Sequence, residues 1–482
     1  MNLHNNKKIK SHMVLEDISG KAVPAIDVFG LSIKALVTHL TDILDKQGTG
    51  MDKSEIQWVL TVPAIWTDAA KQFMRKSAVK AGIPEDRLKI ALEPEAASIF
   101  CQYIPTKKLH GADECFTMTE PGSKYMVVDL GGGTADITVH EKLANGQLKE
   151  LCRAAGNDCG GTSVDGRFFQ MLVKIFGGPL MKKIKDKDPS AYLDLFREFE
   201  TVKRTITPEK VSKVNITIPF ASLDAQCKTV LGENLADVLE SSPYSNQITV
   251  RGDKMRVDAD LMRSLFKPTI DSIISLMKEI LRNKATSEVS QLLLVGGFSE
   301  CMLIQDAVKS NFKKKRVIIP EEAGLSVLKG AVLFGHRPEY VRSRVMRLSY
   351  GVETCHDFDP NIHDKKYLNE SVEPHKCGKI FKKIVEKDQE VSLGQKFTTG
   401  HSTVYPMQKE MKLKIFVSTD KKPMYTDESS CTYLGSALIT FPTPTDDERD
   451  VNAEYTFGNT EIGMTAIEEK TGTKITASFD LI

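Results

Sequence analysis

The stretch YMVVDLGGGTADITVHE, Tyr125 to Glu141, decides how this chain is read. It runs as one strand, three glycines, a threonine and a second strand. A buried strand that ends in glycines brings backbone N–H groups close to a phosphate with no Cβ in the way. Asp129, just before the glycines, repels a phosphate. It suits the magnesium ion that travels with one, held directly or through water, because magnesium takes oxygen ligands and keeps several waters. Thr134 is a donor for a phosphate oxygen, and Asp136 is a second carboxylate. Gly131, Gly132 and Gly133 equally fit a hairpin turn with a solvated acid, since a glycine loop is a weak motif by itself.

Working outward, the 482 residues exceed one ordinary core, so several domains are expected. Hydrophobic content of 41% and charged content of 27% are those of a globular chain. The formal net charge of +1 gives no global field for a nucleic acid or an anionic membrane. No apolar run reaches the roughly 18 residues of a spanning helix. The polar start, MNLHNNKKIK, lacks the apolar centre of a signal peptide. Nine cysteines without framework or zinc spacing suit reduced thiols and a cytoplasmic location.

The first half alternates strand and helix. EIQWVLTVP reads as a strand and TDAAKQFMRKSAVKAG as a helix capped by Thr67 and stopped at Gly82. VDADLMRSLFKPTIDSIISLMKEILRN reads as a long amphipathic helix kinked at Pro268. QLLLVGGFSE is a second buried strand running into glycines, Gly296 and Gly297. Such units predict a layered α/β domain. After about residue 340 the helical pattern stops. Met411, Leu413, Ile415 and Val417 alternate, as do Val451, Ala453, Tyr455 and Phe457, and Ile475, Ala477 and Phe479. This pattern predicts an antiparallel β-sandwich. Arg251-Gly252-Asp253 reads as an ordinary turn.

Two further groups carry chemistry. Glu93, at a strand end, is a third acid able to orient an attacking water. Glu200, Lys203, Arg204 and Thr207 are spaced i, i+3, i+4 and i+7, which places them on one helix face. That face is either a solvated ion-pair ladder or a platform for a purine nucleoside, with carboxylate to ribose and guanidinium on the base.

In order, VLTVPAIW, ALEPEAAS, VVDLGGGTADITV, GNDCGGTSVD, EFETVKRTIT, LLLVGGFSE and PEEAGLSVLKGAV resemble the 70-kilodalton heat-shock chaperone family (DnaK-type). VPAIW, EPEAAS and VLKGAVLFG resemble its divergent heat shock 70 kDa protein 12A-like branch. The resemblance implies an actin-like, ribonuclease H-like ATPase domain over residues 1–337. It implies a linker at 338–349 and a substrate-binding β-sandwich over 350–482. It implies ATP or ADP with Mg2+ as cofactors, extended apolar peptides or protein clients, co-chaperones or exchange factors as partners, and a role in the stress response.

Position by position, Asp129 to Thr134 match the second phosphate loop and its magnesium-linked acid, and Asp136 the acid that follows. Glu93 matches the glutamate that places the hydrolytic water. Gly160 and Gly161 match a glycine pair lining the cleft. Glu200, Lys203, Arg204 and Thr207 match the adenosine-contacting helix, with threonine for the family's serine, and Gly296 and Gly297 the adenosine motif. The chain departs from the pattern at Phe298 and Glu300, where the family has a small polar residue and an arginine. Glu95 stands for a threonine. The first phosphate loop, the acidic-leucine linker and the helical lid have no counterpart here. The expectation is a nucleotide-binding, chaperone-like protein with impaired hydrolysis, or a non-enzymatic scaffold that keeps the fold.

Overall fold

The computed structural model describes the chain except residues 1, 2, 5, 7, 8, 113–117, 371–373, 404, 405, 442 and 476, and the side chains of 53, 475 and 477–479. The alternation at Ile475, Ala477 and Phe479 therefore lies outside the described side chains.

The glycine-flanked strands form the centre of an eight-stranded sheet. Lys124–Leu130 pairs antiparallel with Ala135–Lys142 on one side and parallel with Gln291–Val295 on the other. Both of these inner strands are almost wholly buried, because helices cover both faces. Period two sorts their side chains. Met126, Val128, Leu130, Leu292 and Leu294 pack against Ile273, Ile274 and Met277 of the Ala259–Leu281 helix. Tyr125, Val127, Leu293 and Val295 pack against Ala97 and Cys101 of the Glu93–Tyr103 helix. The Ala259–Leu281 helix runs through Pro268 without a break.

A parallel pair, Trp58–Val62 with Leu88–Leu92, delivers the chain to Ala64 and to Glu93. The helix that follows the first of these strands, Asp68–Lys80, is capped as expected, with the Thr67 hydroxyl accepting from the Ala70 N–H at 3.2 Å. A separate core joins the helices Gly161–Phe176 and Pro189–Lys203 to a three-stranded antiparallel sheet. The Phe168 and Phe199 rings stack in it at 3.9 Å. Arg251-Gly252-Asp253 is the hairpin turn of that sheet, with Gly252 at φ 59°.

The C-terminal part is a sandwich of a six-stranded and a four-stranded sheet. Met411, Leu413, Ile415 and Val417 face Val451, Ala453, Tyr455 and Phe457 across its core, as their alternation requires. The stretch expected as a linker is instead partly a strand. Val341–Val345 runs parallel to Leu148–Asn157 in the eight-stranded sheet and takes Glu390–Ser392 as its outer neighbour. Val341, Ser343 and Arg344 are buried in it, and Arg344 is admitted because Glu95 neutralises it. Glu95 is 1% and Arg344 8% exposed, and the pair is bidentate at 2.7 and 2.6 Å. The same guanidinium donates to the carbonyl of Gly458 in the sandwich.

Candidate functional site

Strand register sets the two hairpin acids side by side, Asp129 opposite Asp136. Both are buried. Asp136 is held from several sides: its carboxylate accepts from the Ile65 N–H at 2.9 Å and from the Thr134 hydroxyl. Burial still lifts its pKa, although these bonds and the Arg347 charge oppose the rise. Asp129 is less well served. Its Oδ2 is buried with no partner among the described residues. Burial, and then the neighbouring Asp136, push its pKa up to about 7. Glu93 enters from the start of its helix, and burial followed by repulsion from Asp129 and Asp136 holds its pKa well above the ordinary value. Three acids thus meet where charge is poorly solvated, an arrangement that takes up protons or a cation. No group of three acid, histidine or cysteine side chains among the described residues is spaced to chelate a metal. A hard cation fits this set through bridging waters, the arrangement magnesium favours.

The glycines answer first to one another. A Cβ on Gly160 would lie 2.6 Å from the backbone of Gly132 and Gly133. The N–H groups of Gly160, Gly161 and Thr162 donate to the carbonyls of Gly133, Gly131 and Gly132 at 3.3, 3.1 and 2.7 Å. These are the donors a helix start leaves unpaired, and the glycine turn satisfies them. The turn itself closes through the Gly131 N–H to the Thr134 carbonyl at 3.0 Å. Gly296, at φ 83°, lies against Asp129, where a Cβ would sit 2.4 Å from Oδ1. The site of Cβ on Gly297 is open space. The two glycine strands therefore converge on the Asp129 carboxylate.

The Pro189–Lys203 helix supplies Glu200 and Lys203, and Arg204 is its C-cap. Lys203 is buried; its Nζ is 2.7 Å from Asp165 and also pairs with Glu200. Arg204 is exposed and pairs with Glu200 at 2.7 Å. Burial raises the Glu200 pKa, but these two cations more than offset it and the net shift is downward. Thr207 does not share the face that the spacing predicted, because the helix ends before it. The β-branched run Thr205-Ile206-Thr207 precedes Pro208, and a residue before proline is driven out of the helical region. The Phe298 ring packs 3.6 Å from the site of a Cβ on Gly161, beside Lys203. Glu300 accepts from the Gly324 N–H at 3.0 Å and so braces the neighbouring turn. Sequence reasoning did not single out Asp165; its place four residues after Gly161, on the helix facing Lys203, was the available signal.

The Hsp70 protein family profile matches residues 31–412. The chain is 33% identical over 534 residues to heat shock 70 kDa protein 12A of Homo sapiens, across 100% of this chain and 79% of that protein. It is 33% identical over 537 residues to the Mus musculus protein of that name, with the same coverage of 100% and 79%. Heat shock 70 kDa protein 12B of Homo sapiens is 30% identical over 542 residues, again across 100% of this chain and 79% of the relative.

Proposed function

This chain belongs to the Hsp70 family, and on that premise we propose that it binds magnesium-ATP or magnesium-ADP in the cleft around Asp129 and acts as a chaperone-like protein. The family's nucleotide domain is an actin-like ATPase fold, and the mixed sheet with helices on both faces has that form. The observation that carries the reading is the buried, unpartnered Oδ2 of Asp129, with Asp136 and Glu93 beside it. Bound there, the metal would neutralise phosphate charge. The chain's own part would be to hold it: Asp129 through water, with Asp136 fixed by Ile65 and Glu93 beside them. Gly131, Gly132, Gly133, Gly160 and Gly161 keep side chains out of the phosphate region. Lys203, Arg204 and Glu200 offer an adenosine face, next to Gly296 and Gly297. A sandwich that holds extended apolar peptide or client protein rests on family membership.

A second reading is favoured by a specific feature. The helix-start N–H groups already donate to the glycine-turn carbonyls, Thr134 serves Asp136, and Lys203 is held by two acids. A scaffold that keeps the fold without turnover needs no more than this. Calorimetric titration with magnesium-ATP separates the two. Saturable binding that Asp129→Asn abolishes supports the nucleotide site. Equal affinity in that variant removes Asp129 from it, and no binding by folded wild type leaves the scaffold.

A further inference from the structure

A cavity of about 320 Å3 lies between the α/β lobe and the sandwich, with none of the glycines of the Asp129 site in its lining. The lobe supplies Trp66 and Leu92, the connecting segment Arg347 and Leu348, and the sandwich Leu434 and Phe457. The walls are therefore apolar and aromatic with a cation among them. The volume is within the range of small-molecule sites. At ~30 Å3 per water-sized atom it holds on the order of ten heavy atoms. A second cavity of about 360 Å3 shares Asp68, Thr460 and Leu481 with it, which extends the room available.

The charges around this cavity are mostly committed. Arg344 is held by Glu95. Lys71 lies 3.5 Å from Asp68, which also accepts from the Tyr350 hydroxyl at 2.7 Å. Glu461 takes Arg75 at 2.6 Å. Glu150 accepts from the Val345 N–H at 2.8 Å, and burial pushes its carboxyl up to about 8, which disfavours its charged form. Lys10 borders the cavity from an exposed position. Arg347 is the exception. It is half-buried and donates to the Ala64 carbonyl at 3.3 Å, and among the described residues no carboxylate stands within ion-pair distance. Two buried acids feel its charge without pairing with it: Asp136, engaged by Ile65 and Thr134, and Glu150, engaged by the Val345 N–H. A guanidinium carries five N–H donors and cannot shed its charge. Leaving it partly desolvated and unpaired is unfavourable, and its fork matches a carboxylate in two parallel bonds.

We propose that this interdomain cavity binds a small amphipathic monocarboxylate, with Arg347 taking the carboxylate and the Trp66, Leu348, Leu434 and Phe457 walls taking the apolar body. Two unpaired acidic charges, as in a phosphate monoester, would exceed what one guanidinium inside an apolar wall neutralises. Because the walls come from both units, the ligand ties the sandwich to the lobe.

The probes are decanoate and its uncharged match, decanol, each titrated calorimetrically and followed by Trp66 emission in a Trp58→Phe background. A charge-assisted bidentate bond is worth about 1.5–3 kcal/mol, so decanoate should bind at least about tenfold tighter than decanol. Arg347→Met should bring decanoate down to the decanol level and leave decanol unchanged, with Arg347→Lys between. Equal affinity of the two probes for the wild type overturns the proposal, as does wild-type decanoate affinity in Arg347→Met. Heat without a Trp66 response places binding elsewhere and also overturns it. If Arg347→Met does not fold, the probe pair and Arg347→Lys still decide the matter.

Discussion

Breaking the buried pair Glu95–Arg344 from either side should produce opposite pH dependences. The two side chains are 1% and 8% exposed and meet through two bonds of 2.7 and 2.6 Å. Removing one member of such a pair generally costs about 3–5 kcal/mol. In Arg344→Met the stranded Glu95 has an escape, because it can take a proton. Holding that proton at about pH 7 against an ordinary value of ~4.3 costs about 4 kcal/mol, and at about pH 5 only about 1 kcal/mol. The damage therefore shrinks as pH falls. In Glu95→Gln the stranded Arg344 has no such escape, since it stays protonated. A substitute is Glu150, whose carboxyl is pushed up to about 8 by burial, with a contribution from Glu95. Removing Glu95 removes that repulsion, so Glu150 ionises as pH rises and pairs with Arg344 in part. The damage in Glu95→Gln therefore shrinks as pH rises. Urea unfolding at about pH 5, 7 and 8.5, with amide exchange at residues 341–345 reporting the junction, measures both slopes. Slopes of the same sign, or both variants within about 0.5 kcal/mol of wild type throughout, would refute the argument.

Other perturbations test the cleft. Asp129 ordinarily titrates at 3.8 and here only near about 7, so the folded form holds its proton more tightly than the unfolded chain. The native state then loses stability from this group as pH rises between those values, by up to about 4 kcal/mol for the coupled acids as a set. Asp129→Asn mimics the protonated form. Its melting temperature should match wild type near pH 4 and exceed it near pH 8, and a constant difference would falsify the assignment. Gly160→Ala puts a Cβ 2.6 Å from two backbone groups that have no flexible end to yield. It should cost about 1–3 kcal/mol in chemical unfolding, whereas Gly132→Ala, with open space around its Cβ, should cost much less. Lys203→Met with Arg204→Ala should weaken adenosine nucleotides more than inorganic triphosphate in competition titrations; equal weakening would argue against an adenosine face.

Much of the fold was legible because it is written in local periods. The runs 125–128 and 292–295 are continuously apolar, and 411–417 and 451–457 alternate, so burial follows from neighbours in sequence. The Thr67 cap and the Arg251-Gly252-Asp253 turn are equally local. What was not legible depends on partners far along the chain. Arg344 makes its segment look like a charged connection until Glu95, 249 residues away, is seen to neutralise it inside a sheet. Thr207 failed for another reason: helical spacing was carried past the point where a β-branched run and Pro208 end the helix. Glycines could be read as a close approach, but not as an approach to Gly160 and Gly161. That contact joins two loops whose meeting only the sheet and the Gly161–Phe176 helix arrange.

Two of the departures from the family pattern, Glu95 and the segment that carries Arg344, meet in one contact. Glu95 follows the cleft acid Glu93 by two residues in the same helix, and it reaches Arg344 and through it the sandwich carbonyl of Gly458. Asp136, the acid held from several sides, accepts from the Ile65 N–H, while the adjoining Ala64 carbonyl accepts from Arg347. Both routes run from the acids to the segment that leads into the sandwich. A buried ion pair adds little net stability over an apolar pair, since desolvation offsets attraction, but it fixes which groups may meet. The junction is thus specified by charge where the Asp129 site is left short of it: among the described residues Asp129 Oδ2 has no partner, while Glu95 has two bonds. An ion or proton that settles on the Asp129 side changes the field at Glu93, two positions from Glu95, and at Asp136, whose partner Ile65 adjoins Ala64. The contacts that join the lobe to the sandwich here are the Glu95–Arg344 pair with its bond to Gly458, and the Arg347 bond to Ala64.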